Sequence, residues 1–265
     1  MSALDDEMLA LMRFVSERTI MPRWRNLATE DVIEKSQNEL VTIADREAEE
    51  FLAEALAKLA PDVPIVGEEA AHADSSVLDR LSGPCWIVDP IDGTHNYAHG
   101  RTPFGIMVAL ADGGEAIAGW IYDPVKDRFC HARRGEGAFV NGGRIVARPT
   151  GSEPPVAAIS VIFLDEARRE SVNSHVAPHY RVVETPRCAA EQYPRLVLGE
   201  NDVSFFERTL AWDHAAGVLF LNEAGGKVCR PDGSAYRVDE IERTGMIGAA
   251  SPSLWDGLAA LYAKL

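Results

Sequence analysis

The run Trp86-Ile87-Val88-Asp89-Pro90-Ile91-Asp92-Gly93-Thr94 constrains this chain more than any other stretch. Its apolar start reads as a buried strand, Pro90 stiffens the exit, and Gly93 permits a tight bend and the close approach of a ligand. Such a strand delivers Asp89 and Asp92 toward one point in space. Converging carboxylates repel unless cations lie between them, and hard divalent ions such as Mg²⁺ take oxygen ligands of this kind. A helix starting at Gly93 or Thr94 would turn its free N–H groups and the Thr94 hydroxyl to the same point, where a phosphate fits. A bare D-P-x-D is also ordinary turn-capping chemistry, and other acids tip the balance. Glu68 and Glu69 follow a second short apolar run, Pro64-Ile65-Val66-Gly67, and Asp213 stands in Trp212-Asp213-His214-Ala215-Ala216-Gly217, whose small residues suit a closely packed helix. Taken alone, Asp213 reads as a helix N-cap.

Around these points the pattern divides the chain. Leu4, Met8, Leu11, Met12 and Val15 recur at helical spacing, and a second helical pattern from Ala44 to Leu59 starts after Thr42 and stops at Pro61. The polar segment between them, Glu34 to Glu39, reads as a loop. From Phe104 to Val146, strand-like pieces alternate with Asp112-Gly113-Gly114, Asp123-Pro124 and Asn141-Gly142-Gly143, which predicts an antiparallel meander. The connection Arg148 to Pro155 separates an N-terminal α+β half, residues 1–147, from a C-terminal half, residues 156–265. In the latter, strand-like and helix-like segments alternate, which argues for a layered α/β arrangement. Ser251-Pro252 opens a final helix.

Composition narrows the function. With 41 acids against 26 Lys plus Arg, the net charge of -15 argues against nucleic-acid binding. A phosphorylated small molecule could bind only where local donors or metal ions reverse the sign. No stretch is long and apolar enough to span a bilayer, and Asp5, Asp6 and Glu7 stand where a secretory peptide would carry positive charge, so a cytoplasmic location is expected. Cys85, Cys130, Cys188 and Cys229 form no C-x-x-C pair and read as reduced, small core residues.

The D-P-I-D-G-T run followed by the W-D-x-A-A-G run resembles the inositol monophosphatase family of Mg²⁺-dependent, Li⁺-sensitive phosphatases. The resemblance covers nearly the whole chain, from Lys35 and Leu40-Val41-Thr42-x-x-Asp45 through Gly67-Glu68-Glu69 to Glu223-Ala224-Gly225-Gly226. It implies a layered α-β-α-β-α sandwich, a homodimer, and two to three Mg²⁺ ions acting on a small phosphorylated metabolite, inositol monophosphate or a related polyol or sugar phosphate. It further implies that Glu68, Asp89 and the Ile91 carbonyl hold one ion, and that Asp89, Asp92 and Asp213 hold a second. A weaker ion would sit near Glu68. Gly93 and Thr94 would bind the phosphate, and Thr94 with Asp45 would orient and deprotonate the attacking water. Thr42-x-x-Asp45 also fits a helix capping box. Lys35 and Glu69 would orient the ligand set from behind.

Two departures concern the substrate. Members commonly carry Gly-Ser-Ala-Ala where this chain has Arg187-Cys188-Ala189-Ala190, and Glu207, the nearest match to an acid that touches substrate hydroxyls, stands one residue closer to the W-D run than usual. Arg187 and Glu207 are therefore candidate substrate contacts. Histidinol phosphate or a nucleotide 3',5'-bisphosphate are alternative substrates, and a family member acting mainly through a macromolecular partner is an alternative role.

Overall fold

The computed structural model describes residues 2–36 and 39–265. Helix α1 (Ala3–Val15) starts at a capping box in which Ser2 and Asp5 exchange hydrogen bonds. Asp5 is buried and also accepts from the Trp120 indole at 3.0 Å, which pins the helix to the sheet beneath. Helix α2 (Ile43–Leu59) follows a second capping box, Thr42 with Asp45. Between the helices, β1 (Val32–Ser36) and β2 (Glu39–Thr42) pair antiparallel where the polar sequence reads as a loop. The signal was the pairing of Val32 and Ile33 with Thr42 and Val41, masked by the charged residues around it.

The main sheet runs in the order β3 (Ile65–Gly67), β4 (Cys85–Asp92), β5 (Gly105–Asp112), β6 (Glu115–Asp123), β7 (Arg128–Arg133), β8 (Gly137–Val140) and β9 (Gly143–Ile145). Strand β3 is parallel to β4, across the short helix α3 (Glu68–Ala73), and the remaining neighbours are antiparallel, as the turn signals predict. Alternation along the strands sorts the side chains by face. Trp86, Val88, Ile106, Val108 and Trp120 pack with Met8, Met12, Ala48 and Leu52 of α1 and α2. Ile87, Met107, Ala109 and Ile121 share the opposite core with α6 (Ala189–Leu198) and α7 (Ala211–Glu223).

A second sheet has the order β11 (Arg181–Val183), β10 (Val156–Ile159), β12 (Val203–Phe206), β14 (Met246–Ala249) and β13 (Lys227–Cys229). Its inner face meets α6 and α7 through Val228 and Met246. Its outer face carries α5 (Glu166–His175) and α8 (Pro252–Tyr262), with Val172, Trp255 and Leu258 on Ile159, Phe205 and Ile247. The layers are thus α1 and α2, the first sheet, α6 and α7, the second sheet, and α5 with α8, an α-β-α-β-α sandwich. Strands β13 (Lys227–Cys229) and β14 (Met246–Ala249) were not read from the sequence. Among the described residues, no helix is long and apolar enough to cross a membrane.

Candidate active site

Residues three apart on a regular strand point to opposite faces. The register of β4 against β5 breaks between Asp89, opposite Met107, and Asp92, opposite Gly105, so one extra residue is accommodated on β4. This bulge reverses the alternation and turns Asp89 and Asp92 to the same side. Asp213 meets them from α7. Its helix starts at Leu210 with no side-chain cap, and Asp213 lies in the first turn, so it is not the N-cap that the sequence suggests. Carboxylate oxygens of Asp89, Asp92 and Asp213 lie within 4.8 Å of one another. Burial pushes Asp92 up to about 7, helped by the neighbouring Asp213 charge. Burial likewise raises Asp89 well above the usual carboxylate range, followed by the charges of Glu68, Asp92 and Asp213.

Glu68 joins the group because β3 runs parallel to β4 with Gly67 opposite Val88, which sets Glu68 at the level of Asp89. What holds it there is Glu49 of α2, a residue the sequence reading missed. The Glu49 carboxylate accepts the N–H of Glu69 and of Ala70, each at 2.8 Å, and so clamps the start of α3. A Cβ at position 67 would stand 2.3 Å from the Glu49 carboxyl carbon, so a larger residue before Glu68 would push the Glu49 carboxylate off its place. The available signal was periodicity: Asp45 and Glu49 share the buried face of α2 with Ala44, Ala48 and Leu52. Glu69 lies close enough to Asp45 to raise its proton affinity. Lys35 falls in β1, but its side chain lies outside the described residues.

Gly93 has φ of +85°, and a Cβ there would meet the Pro103 carbonyl at 2.9 Å and Cys188 Cβ at 3.1 Å. Helix α4 (Thr94–Ala98) starts immediately after it. The Thr94 hydroxyl lies 2.8 Å from the Ile91 carbonyl and 3.2 Å from Asp45 Oδ1. The other oxygen of Asp45 accepts from the Thr42 N–H at 2.7 Å and hydroxyl at 2.6 Å, so the cap and the contact with Thr94 coexist. Complete burial lifts the Asp45 carboxyl to about 7. Asp92 is tied to α6, whose Ala190 N–H donates to Oδ2 while the Cys188 thiol reaches the Asp92 carbonyl.

Glu68, Asp89, Ile91, Asp92, Gly93, Thr94 and Asp213 line a cleft of about 600 Å³. Its lining also includes Arg169, Arg187, Arg208, Phe163, Glu207 and His95. Arg187 is exposed, with φ of +52°. Arg208, unremarked in the sequence, lays its guanidinium over Phe163 at 4.7 Å. Glu207 is buried, and Arg168 donates to both its oxygens at 2.6 and 3.2 Å. His214 bridges the Tyr193 hydroxyl at 2.8 Å and the Arg208 carbonyl at 3.0 Å, and burial drives its pKa down to about 3. It is thus a neutral strut between α6, α7 and the residues after β12. His95 and His99 stack at 4.4 Å, and among the described residues neither joins a metal-spaced group.

Three converging carboxylates on a layered α/β sandwich, with a glycine turn and a helix start beside them, define a class of site suited to a cation and an anionic ligand. Residues 8–264 match the family model for the inositol monophosphatase family. The chain is 33% identical over 202 residues to inositol-1-monophosphatase of Bacillus subtilis, covering 75% of each protein. Fructose-1,6-bisphosphatase/inositol-1-monophosphatase of Aquifex aeolicus is also 33% identical over 202 residues, covering 74% of each. The solved structure of extragenic suppressor protein suhB from Bartonella henselae matches with a TM-score of 0.83 at 27% identity over 99% of both chains. The chain belongs to the inositol monophosphatase family. It is a phosphatase acting on phosphoric monoesters, and the family implies a divalent metal.

Proposed function

We propose that this protein is a Mg²⁺-dependent phosphomonoesterase that hydrolyses a small phosphorylated metabolite with metal-activated water. The observation that carries the reading is the bulged β4, which brings Asp89 and Asp92 to Asp213 at a spacing that suits a shared cation. The donors fit the ion: carboxylates and the Ile91 carbonyl are hard oxygen ligands, and in two of the acids burial first, and neighbouring like charges next, raise the proton affinity. Glu68, Asp89 and Ile91 would hold one ion, Asp89, Asp92 and Asp213 a second, and a weaker third would sit near Glu68. When bound, such cations acidify water and neutralise charge developing on the leaving oxygen.

The chain supplies the rest. Gly93 and Thr94 present backbone N–H groups to the phosphate. The Thr94 hydroxyl orients the attacking water and passes its proton toward Asp45, whose proton affinity near neutrality suits a general base. No nucleophilic side chain is needed. The relatives are named for inositol 1-phosphate and fructose 1,6-bisphosphate, which supports polyol and sugar phosphates as the substrate class. A cytoplasmic homodimer inhibited by Li⁺ completes the reading. A second reading is favoured by one relative, the Nus factor SuhB of Pasteurella multocida, 31% identical over 205 residues, whose name points to a macromolecular partner. The deciding experiment is a panel of phosphorylated metabolites assayed with and without Mg²⁺: turnover of at least one, abolished by chelation, supports the enzyme, and no turnover of any favours the partner.

A further inference from the structure

We propose that Arg187 selects substrates carrying a second anionic group, phosphate or carboxylate, beside the phosphomonoester to be cleaved; the inference rests on the phosphatase reading and names its substrate class. Arg187 occupies the left-handed backbone region at φ of +52°. That conformation costs a residue with a Cβ, and such outliers concentrate at binding and catalytic sites. Glycine would occupy the position without strain, yet the chain places there the residue with the largest fixed array of hydrogen-bond donors.

The backbone around Arg187 is held on both sides. The carbonyl of Pro186 accepts from Asn96 Nδ2 at 2.9 Å, and that same amide donates to the Pro103 carbonyl at 2.8 Å. On the other side, the Cys188 thiol reaches the Asp92 carbonyl, and Cys188 packs where a Cβ at Gly93 would lie. Arg187 is therefore fastened one residue from the loop assigned to the scissile phosphate. Its charge is felt by His95, whose proton affinity falls first through burial and next through Arg187.

The guanidinium is available. Among the described residues Arg187 forms no ion pair, and the nearest buried acid in sequence, Glu191, is already engaged by Lys126 at 2.8 Å, by Arg128 and by Arg195 at 3.0 Å. Arg208 and Arg169 line the same cleft. A neutral polyol ring offers these cations only hydroxyls, whereas a second phosphate or a carboxylate matches the planar fork with paired, charge-assisted hydrogen bonds.

The test compares wild type with Arg187→Gly and Arg187→Lys on three ligands: inositol 1-phosphate, fructose 1,6-bisphosphate and 3-phosphoglycerate. Two readouts are taken with Mg²⁺ present, kcat/KM and, independent of turnover, the rise in melting temperature that each ligand produces. Wild type should favour at least one doubly anionic ligand over inositol 1-phosphate by about 10- to 100-fold, the worth of a charge-assisted contact. Arg187→Gly should compress that ratio by about tenfold or more, and Arg187→Lys should retain part of it. Preference for the bisphosphate identifies phosphate as the second group, and preference for 3-phosphoglycerate identifies carboxylate. Because glycine relieves the backbone, Arg187→Gly without ligand should melt no lower than wild type, which separates lost selection from lost folding. The same ratio in wild type and Arg187→Gly, or no preference in wild type, overturns the inference. Hydrolysis of p-nitrophenyl phosphate tests the underlying reading on its own: if it fails while the ligand-induced stabilisation still follows Arg187, the phosphatase reading falls and the anion selectivity stands.

Discussion

The acids and the cations that line the cleft are held on opposite principles. On the acid wall, Asp89 and Asp92 are buried, as is Asp45 in contact with Thr94, and backbone donors fix all three: the Thr42 N–H on Asp45, the Ile91 N–H on Asp89, the Ala190 N–H on Asp92. Glu68 is placed through the backbone of α3, which Glu49 clamps. Among the cations of the same lining, Arg187 is exposed, and the half-buried Arg208 is placed by a side-chain stack on Phe163. Buried carboxyls locked by backbone have either a proton or a cation to relieve their repulsion, which is why this wall carries the proposed chemistry. An exposed side chain on a fixed backbone, as at Arg187, can be exchanged without disturbing the acids, so substrate preference can vary there while the acids stay in place.

The largest effect should come from breaking the acid wall itself. Asp92→Asn should lower Mg²⁺ affinity and turnover together, the latter on the order of 1000-fold, as the loss of several kcal/mol of charge stabilisation implies. The same change relieves repulsion, so the metal-free variant should melt above wild type. Unchanged activity at limiting Mg²⁺ would remove Asp92 from the ligand set.

Next come the groups that act on water. Thr94→Ala and Asp45→Asn should each reduce kcat by roughly 100-fold, with little change in KM, because they act on the attacking group. Steady-state kinetics at saturating Mg²⁺ decide this: a pure KM effect would make both residues substrate binders. A smaller loss is expected at Glu49→Gln, where an amide NH₂ replaces one of the oxygens that receive the Glu69 and Ala70 N–H groups. Metal affinity measured calorimetrically should fall about tenfold, typical of a residue that orients a ligand from behind. Unaltered affinity with an equally lowered melting temperature would leave Glu49 a structural residue only.

The smallest effect is on stability against pH. Asp45 and Asp92 keep protons up to about 7 in the folded protein, whereas the unfolded chain releases them near 3.8. The folded state therefore binds more protons, and without metal the stability these groups contribute is present at low pH and lost as pH rises through about 7. The buried histidines His131 and His214 act in the opposite direction, through protonation of the unfolded chain at and below about 6.5. Between about pH 7 and 8 the acids dominate, so the metal-free melting temperature should fall, and Mg²⁺ should narrow the difference. A rise across that interval would contradict the assigned burial of the acids.

The sequence carried the acid wall well because its information is local. Asp89, Asp92, Gly93 and Thr94 lie in one run, and Asp213 is marked by the small residues that follow it. The helices α2, α6, α7 and α8 and the β5–β9 meander were legible from periodicity and turn residues, and the capping box at Thr42 was readable directly. What stayed hidden depends on pairing across distance. The bulge that turns Asp89 and Asp92 to one side is a register shift against β5, which no single strand displays. Glu49 acts on backbone 20 residues away. The left-handed backbone of Arg187 has no signature in an arginine, and the engagement of Glu207 by Arg168 joins segments 39 residues apart.

The central claim is that the carboxylates of β4 and α7 form a divalent-metal site whose loading relieves their repulsion. Melting temperature followed during a Mg²⁺ titration at pH 8, for wild type and Asp213→Asn, tests it most directly. The account predicts a saturable rise in wild type, a higher starting value in Asp213→Asn, and little further rise in that variant at the concentration that saturates wild type. Equal stabilisation of both proteins by Mg²⁺, or none in wild type, would contradict it.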